Sequence, residues 1–226
     1  MNKKIKLLVK TLIAIFLIYA LYLVIYRIRA YPYDELWNFN NIYKMYNGYR
    51  IYESTNVIIT PLFYYIGLVW MKLFSPTVIS IRYLGVVIFI LMYFIIYRLF
   101  KVLNVSKPSI AVGISLLLIR SFQIITNSAN YNFLSLTFFY LGLLIVLSKN
   151  FKIKDYILGL VYFLIFMSKQ NMAFYFILVT LIYDFYKREN FKNFILSEIK
   201  RIAVFIVLTG LFILIYYKVR TTWILY

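Results

Sequence analysis

The acidic side chains are the scarcest chemically active groups in this sequence. The chain has 226 residues but no His and no Cys, which excludes Cys–His and Ser–His nucleophilic pairs, disulfides, and zinc sites built on imidazole or thiolate. Proton transfer would therefore fall to Asp, Glu, Lys or Tyr. Only seven carboxylates are present, and three of them lie early in the chain: Asp34, Glu35 and Glu53.

Asp34 and Glu35 are adjacent, and adjacent residues on a helix do not share a face, so we expect them to have different roles. An acid that is held near a membrane and shielded by aromatic side chains can act as a general base or as a metal ligand. The alternative is structural, with Asp34 as the N-cap of a helix and Glu35 as a first-turn residue that the helix dipole favours. Their spacing favours neither interpretation.

The composition indicates that the helices which position these acids belong to a membrane protein. Hydrophobic residues make up 64% of the chain and charged residues 14%, whereas a soluble domain is about half apolar and about a quarter charged. The net charge of +18 would suggest nucleic acid as the partner of a soluble protein. Here the basic residues fall between apolar runs, where positive-inside sorting explains them, so we expect no nucleic-acid partner. The wealth of Lys, Ile, Asn and Tyr is typical of an AT-rich bacterial genome.

The apolar runs predict an all-α, polytopic bundle of about seven transmembrane spans. A Lys-rich N-terminus precedes the uncharged run 11–26, which favours a retained first helix with a cytoplasmic N-terminus. This assignment makes every cytoplasmic connection basic and places the chain in the cell membrane, with the bilayer as a partner. The other six spans are predicted at residues 77–98, 108–127, 132–148, 155–168, 171–186 and 201–217.

The large first outer loop, residues 27–76, is predicted to contain two helices that lie on the membrane. In the first helix, apolar and aromatic residues recur every three or four positions between polar ones, which is the pattern of an amphipathic interfacial helix. Asp34 is positioned to cap this helix and Gly48 to end it. The recurring residues are Leu36, Phe39, Tyr43 and Tyr46.

The second helix of this loop is predicted at residues 60–74, with Pro61 in its first turn. Fifteen helical residues rise only about 22 Å, which is less than the ~30 Å hydrocarbon core of a bilayer. An interfacial position is therefore favoured. The alternative, that this segment spans the membrane, would invert the orientation of everything that follows it.

Six short motifs follow one another along the chain, and their order and spacing are informative. They are Tyr-Pro-Tyr-Asp-Glu at 31–35, Asn-Gly-Tyr-Arg-Ile-Tyr-Glu at 47–53, Thr-Pro-Leu-Phe-Tyr-Tyr at 60–65, Lys-Leu-Phe-Ser at 72–75, Ile-Arg-Tyr-Leu at 81–84 and Met-Ser-Lys-Gln at 167–170. Together this series resembles that of the GT-C membrane glycosyltransferases, among them the protein O-mannosyltransferases and aminoarabinose transferases. The resemblance covers essentially the whole chain and implies a single module, residues 1–226.

The resemblance implies that a sugar moves from a polyprenyl-phosphate carrier to a lipid, glycan or protein acceptor at the outer membrane face. In that scheme Asp34 is the catalytic base or orients the acceptor hydroxyl. Glu35, also expected in the catalytic site, and Glu53 would position substrate or a divalent cation, for which Asp34 and Glu53 are the candidate ligands. Arg82 and Lys169 would bind the carrier phosphate, where a cation stabilises the leaving group.

Alternatives remain open for these residues and for the function. Arg82 could instead snorkel to the interface, and Lys169 could be an ordinary loop charge. Relatives often carry an acid between the third and fourth spans, whereas residues 127–132 here have none, which leaves a metal cofactor undecided. The C-terminal part of full-length relatives is also missing from the resemblance. The alternative functions are therefore a non-catalytic or truncated subunit that binds a lipid carrier and, third, a transporter.

Overall fold

The computed structural model describes residues 18, 22, 33–53, 57, 59–122, 131–148, 152–187 and 191–223. Within these ranges every regular element is a helix, which confirms the all-α prediction for this part of the chain. Of the predicted first span, 11–26, only Ile18 and Tyr22 are described, and both are helical. The helices are α1 (Tyr33–Tyr46), α2 (Leu62–Leu73), α3 (Val78–Val102), α4 (Lys107–Phe122), α5 (Tyr131–Leu147), α6 (Lys154–Ser168), α7 (Gln170–Lys187) and α8 (Phe191–Trp223).

Helix α1 is the amphipathic helix that the periodicity predicts, with one correction at its start. The helix begins at Tyr33, so Asp34 and Glu35 both lie in its first turn and Asp34 is not the N-cap. An acid in this turn still favours the helix through the dipole. At the other end Gly48 has a φ of +89°, and the backbone N–H of Tyr49 donates to the carbonyl of Lys44 at 3.0 Å. Gly48 therefore ends the helix as predicted, because glycine adopts this left-handed conformation without a steric penalty.

In the part of the chain that the structure describes, two helices are long and apolar enough to cross a membrane. They are α3, with 25 residues, and the stretch Phe191–Tyr216 of α8, with 26 residues. At ~1.5 Å per residue, α3 is about 37 Å long, which exceeds the hydrocarbon thickness of a bilayer. Helices α2 and α5 are apolar but shorter. The described residues are thus all-helical outside their connections, with two helices of spanning length.

Contacts divide the chain into two compact units. The first contains α1, most of α2 and the beginning of α3, and the second contains residues 57–63, the rest of α3 and everything from Tyr131 onward. In the second unit α6 is central, because it packs against α5, α7 and α8. Its fully buried Leu158, Tyr162 and Ile165 join Phe176 of α7 in one apolar core.

Helix α8 begins ten residues before the predicted span 201–217. Its first three turns are held against other helices rather than left in a loop, since Ser197, Glu198 and Arg201 are all buried. The approach of α8 to α6 is close at Gly159. A Cβ atom at this position would lie 2.6 Å from the backbone oxygen of Arg201 and 2.7 Å from the Cβ of Val204. Glycine is thus needed at residue 159 for the two helices to touch.

We expect Gly159→Ala to lower the free energy of unfolding by about 1–3 kcal/mol, the usual cost of forcing extra volume into a packed contact. The added methyl group would meet backbone atoms, which cannot rotate away. Thermal unfolding of the purified protein in detergent, followed by circular dichroism, measures this change.

The matched control is Gly210→Ala, also in a helix of the second unit. A Cβ atom there meets nothing within 4 Å, so this variant should be as stable as the unmodified protein or slightly more stable, because alanine favours helices. Equal unfolding temperatures for the two variants would contradict the close approach of α6 and α8.

Candidate functional site

A buried ion pair joins two of the residues that the sequence singles out. Arg82 donates from Nε to Oε1 of Glu35 at 2.7 Å and from Nη2 to Oε2 at 2.9 Å, which is the bidentate geometry of a strong charge-assisted pair. Glu35 is 1% exposed and Arg82 4%. Since Glu35 is in the first turn of α1 and Arg82 is the fifth residue of α3, this pair fixes the start of α1 to the start of α3.

Helix α2 also contacts α1 and the start of α3. The hydroxyl of Tyr64 donates to Oδ1 of Asn38 on α1 at 3.0 Å, and both groups are buried. Nε1 of Trp70 donates to the backbone oxygen of Ser80 on α3 at 2.8 Å. A Cβ atom on Gly67 would lie 2.5 Å from Cδ1 of Ile42, so α1 and α2 pack closely. These contacts join α1, α2 and the start of α3 within the first compact unit.

Asp34 is placed differently from its neighbour, as the one-residue spacing predicts. It is exposed, whereas Glu35 points into the protein and binds Arg82. Glu35 is therefore engaged as a structural anchor in this conformation, and its carboxylate oxygens are occupied by the guanidinium group. Of the two acids, Asp34 is the one accessible to a substrate.

Glu53 lies apart from this ion pair on the surface. Its carboxylate is 3.6 Å from the guanidinium of Arg50, and both side chains are partly exposed. Surface pairs of this kind contribute ~0–1 kcal/mol to stability. Tyr52, directly before it, has a φ of +71°, an uncommon left-handed conformation for a bulky residue. The structure leaves Glu53 accessible but does not pair it with Asp34 or Glu35.

Lys169 belongs to the second compact unit, at the junction between α6 and α7. Its backbone is extended, which breaks the helix between Ser168 and Gln170. The Nζ atom donates to Oδ1 of Asn132 at 2.7 Å and lies 5.8 Å from the ring centre of Tyr131. Lys169 therefore bridges the break between α6 and α7 to the beginning of α5.

A second set of charged residues was missed by the sequence reasoning. Arg201 of α8 is 1% exposed and contacts three carboxylates: Asp155 of α6 at 2.8 Å, Asp184 of α7 at 2.5 Å and Glu198 of α8 at 2.5 Å. Close by, the hydroxyls of Tyr162 and Thr180 lie 2.5 Å apart. We call this set the Arg201 cluster.

The sequence contained a weak signal for the Arg201 cluster. Three of the seven carboxylates of the chain lie next to predicted span ends and meet a single guanidinium. Positive-inside counting treats every basic residue near a span end alike, so it gives no reason to expect that Arg201 is buried. The structure buries its side chain among α6, α7 and α8.

The arrangement defines what chemistry the described residues can perform. The accessible carboxylate of Asp34 can accept a proton. The ammonium of Lys169 can bind an anion, because it has three N–H donors and the hydrogen bond to Asn132 uses one of them. In the described ranges, no three acidic side chains are grouped so that they could hold a metal ion. In the Arg201 cluster the guanidinium group occupies the space between the carboxylates.

We expect Arg82→Met to lower the free energy of unfolding by about 3–5 kcal/mol, because it leaves the carboxylate of Glu35 buried without its counter-charge. Thermal unfolding in detergent measures the loss. The double variant Arg82→Met with Glu35→Leu should recover most of it, since both charges are then removed from the interior.

The control for this pair is Arg50→Met, which breaks the exposed ion pair with Glu53 and should cost less than about 1 kcal/mol. A double variant no more stable than Arg82→Met alone would show that the two residues do not depend on each other. The buried ion pair would then make no measurable contribution to the free energy of unfolding.

Comparison of the chain with protein-family models, with curated proteins and with solved structures returned no match. The resemblance to GT-C glycosyltransferases therefore stays a prediction that is carried by the order of the short motifs. What the protein does has to be inferred from the residues themselves and from the geometry of the two charged clusters.

Proposed function

We propose that this chain is a multi-pass membrane glycosyltransferase that moves a sugar from a polyprenyl-phosphate carrier to an acceptor at the outer face of the cell membrane. The observation that carries the proposal is the first turn of α1. It presents an accessible acid, Asp34, next to Glu35, which is locked by Arg82. A base on a firmly held helix end meets the geometric need of proton transfer from an acceptor hydroxyl.

The apolar surface of α8 supports the membrane location. Many large apolar side chains in its spanning stretch are exposed, among them Ile206, Val207 and Leu214, each about three-fifths exposed. An apolar surface of this extent is found where lipid or another protein covers it. We propose that α3 and α8 cross the bilayer, and that residues 11–26 and the shorter helices α4 to α7 supply the other spans, with the N-terminus in the cytoplasm.

In the proposed reaction, the oxygen of the acceptor hydroxyl bonds to the anomeric carbon of the sugar. At the same time the carboxylate of Asp34 takes the proton of that hydroxyl. The bond from that carbon to the carrier phosphate breaks, and the phosphate leaves with the electron pair. On the sequence resemblance alone, Lys169 is the candidate for stabilising the negative charge on the phosphate. Arg82, which directs Nε and Nη2 to Glu35, positions α1 instead of binding phosphate. A divalent cation is not needed in this scheme, and Glu53 is the acid left to position the acceptor.

We expect Asp34→Asn to lower the rate of sugar transfer at least about 100-fold, because a general base contributes that much or more. The assay uses membranes that contain the protein and a radiolabelled polyprenyl-phosphate-linked sugar. Since Asp34 is exposed, the variant should unfold at the same temperature as the unmodified protein.

The control is Asn40→Asp, which alters charge at another exposed position of α1 and should leave transfer unchanged. Transfer by Asp34→Asn at the unmodified rate would contradict the assignment of the base. An unmodified chain that binds the carrier lipid without any turnover would instead identify the alternative, a non-catalytic membrane subunit.

One observation favours transport as the second candidate function. The Arg201 cluster places Glu198 and Arg201 inside the spanning stretch Phe191–Tyr216, in contact with acids from two other helices. Ionisable groups within membrane spans commonly mark ion or proton pathways. Glu198 and Arg201 lie in the first half of α8, however, and all four charges are bound to one another, which is also what a structural anchor requires.

We expect no proton flux above that of empty vesicles when the purified protein is placed in liposomes with an imposed membrane potential and an internal pH-sensitive dye. The three carboxylates of the Arg201 cluster are all held by the Arg201 guanidinium, which is the arrangement of a structural anchor. A flux that disappears in Asp184→Asn and persists in Glu53→Gln, a change at an exposed acid, would favour transport over sugar transfer.

A further inference from the structure

Lysine side chains surround the Arg201 cluster at one end of the second unit. Asp155 is near the start of α6, Asp184 is near the end of α7, and Glu198 and Arg201 are in the first three turns of α8. The cluster therefore joins three helix ends. Among the described residues, five lysines lie within six positions of a cluster member along the chain: Lys152, Lys154, Lys187, Lys192 and Lys200.

One of these lysines has a structural role. The Nζ atom of Lys154 donates to the backbone oxygens of Val146 and Ser148, each at 2.9 Å, and so binds carbonyl groups at the C-terminal end of α5. The other four surround the cluster from the start of α6, the end of α7 and the start of α8. We call them the basic rim: Lys152, Lys187, Lys192 and Lys200.

The basic rim is accessible and gives this end of the unit a positive charge. None of its four side chains is buried, and Nζ of Lys200 lies 6.0 Å from the ring centre of Tyr156 on α6. The carboxylates of the Arg201 cluster are fewer than the cations around them in the described part of the chain, and all three are bound to Arg201. In the sequence, the two connections at this end, residues 149–154 and 187–192, together contain six basic residues and one acid.

The apolar surface of α8 places the rim relative to a bilayer. The interval between Arg201 and Lys218 contains sixteen uncharged residues and is about 24 Å long, close to the ~30 Å of a hydrocarbon core. Exposed apolar side chains begin directly after Arg201, with Ile202 45% exposed. If α8 crosses the bilayer, Lys200 lies at the edge of the hydrocarbon core and Lys192 about 12 Å farther out. The rim then covers the depth of the lipid phosphates.

A phosphodiester is the anion that suits this arrangement. An ammonium group has three N–H donors and makes charge-assisted hydrogen bonds to phosphate oxygens. Lysines from separate helix ends can contact one headgroup together, and basic pockets between membrane helices bind anionic headgroups in this way. A zwitterionic headgroup carries its own ammonium group, which the rim repels.

We propose that the basic rim is a binding site for the headgroup of an anionic phospholipid, with the phosphodiester held among the lysines and the acyl chains lying along the apolar face of α8. The lipid would connect from outside the same three helix ends that Arg201 joins from inside. This inference rests on the membrane placement of α8 proposed above and is independent of sugar transfer.

The experiment places a fluorescent reporter beside the rim. Tyr186 is 87% exposed and adjacent to Lys187, so Tyr186→Trp, in a full-length chain whose three natural tryptophans are Phe, reports on neighbouring lipids. The protein is reconstituted in phosphatidylcholine vesicles that contain a small, equal fraction of brominated phosphatidylglycerol or brominated phosphatidylcholine. We expect the brominated phosphatidylglycerol to quench at least about threefold more strongly, because the rim attracts its negative charge.

Removal of the rim charges tests the site itself. In the reporter chain, Lys152→Gln, Lys187→Gln and Lys200→Gln together should bring the ratio of quenching by the two lipids close to one. These side chains are not buried, so the variant should remain as helical as the reporter chain by circular dichroism.

The matched control removes the same number of charges from exposed positions around the connection between α3 and α4. Its changes are Arg98→Gln, Lys101→Gln and Lys107→Gln. This variant should keep the preference for phosphatidylglycerol, because the rim is intact.

Four results would overturn the proposal. Equal quenching by the two lipids in the reporter chain would show no anionic site, and an equal loss of preference in both triple variants would assign it to overall charge. Displacement of the lipid by millimolar glycerol phosphate would make a soluble phosphate compound the occupant. Quenching of the reporter by aqueous iodide but by neither lipid would remove the membrane placement of this end of α8, whatever the result of the sugar-transfer assay.

Discussion

A charge that is shielded from water has to be neutralised by another part of the protein, and this constraint organises both compact units. In the first unit Arg82 is bound by Glu35, 47 residues earlier in the chain. In the second unit Arg201 is bound by carboxylates on α6, α7 and α8. Each guanidinium thereby ties helices that the chain connects only through loops. Because an unpaired buried charge costs several kcal/mol, these contacts restrict which helices can lie side by side.

The pairing of Glu35 with Arg82 leaves the two adjacent acids of α1 in different environments. Glu35 is bound in the ion pair, whereas Asp34 is accessible. A catalytic group gains from such an arrangement, because a helix that is fixed at its first turn holds the neighbouring side chain in a defined direction. The anchor and the accessible acid are separate residues, so the stability of α1 and the proposed chemistry at Asp34 could be altered one at a time.

Much of the local structure could be predicted from the sequence, because local signals determine it. The spacing of Leu36, Phe39, Tyr43 and Tyr46 predicts α1, and Gly48 predicts its end. The long-range pairs could not be predicted, since no periodicity links Glu35 with Arg82 or Arg201 with Asp184. The start of α8 was misplaced for the same reason. Charges at Glu198 and Arg201 are typical of a loop until their distant partners are known.

The candidate site, too, could be predicted from the sequence only in part. That Asp34 and Glu35 face different directions follows from helix geometry alone. Which of them is accessible depends on a partner on α3 and was not predictable. The sequence could suggest a cation at Lys169, but the contact of its ammonium with Asn132 depends on how α5 approaches the break between α6 and α7.

The burial of Arg201 has a consequence for how the orientation of the protein would be established. Basic residues direct membrane insertion while the chain is being delivered to the bilayer, before distant helices have packed. At that time Arg201 has not yet met Asp155 and Asp184, and it is an additional positive charge beside Lys200. In the orientation proposed above, the same side chain would first favour retention of this end of α8 on the cytoplasmic side and would later serve as an internal counter-ion.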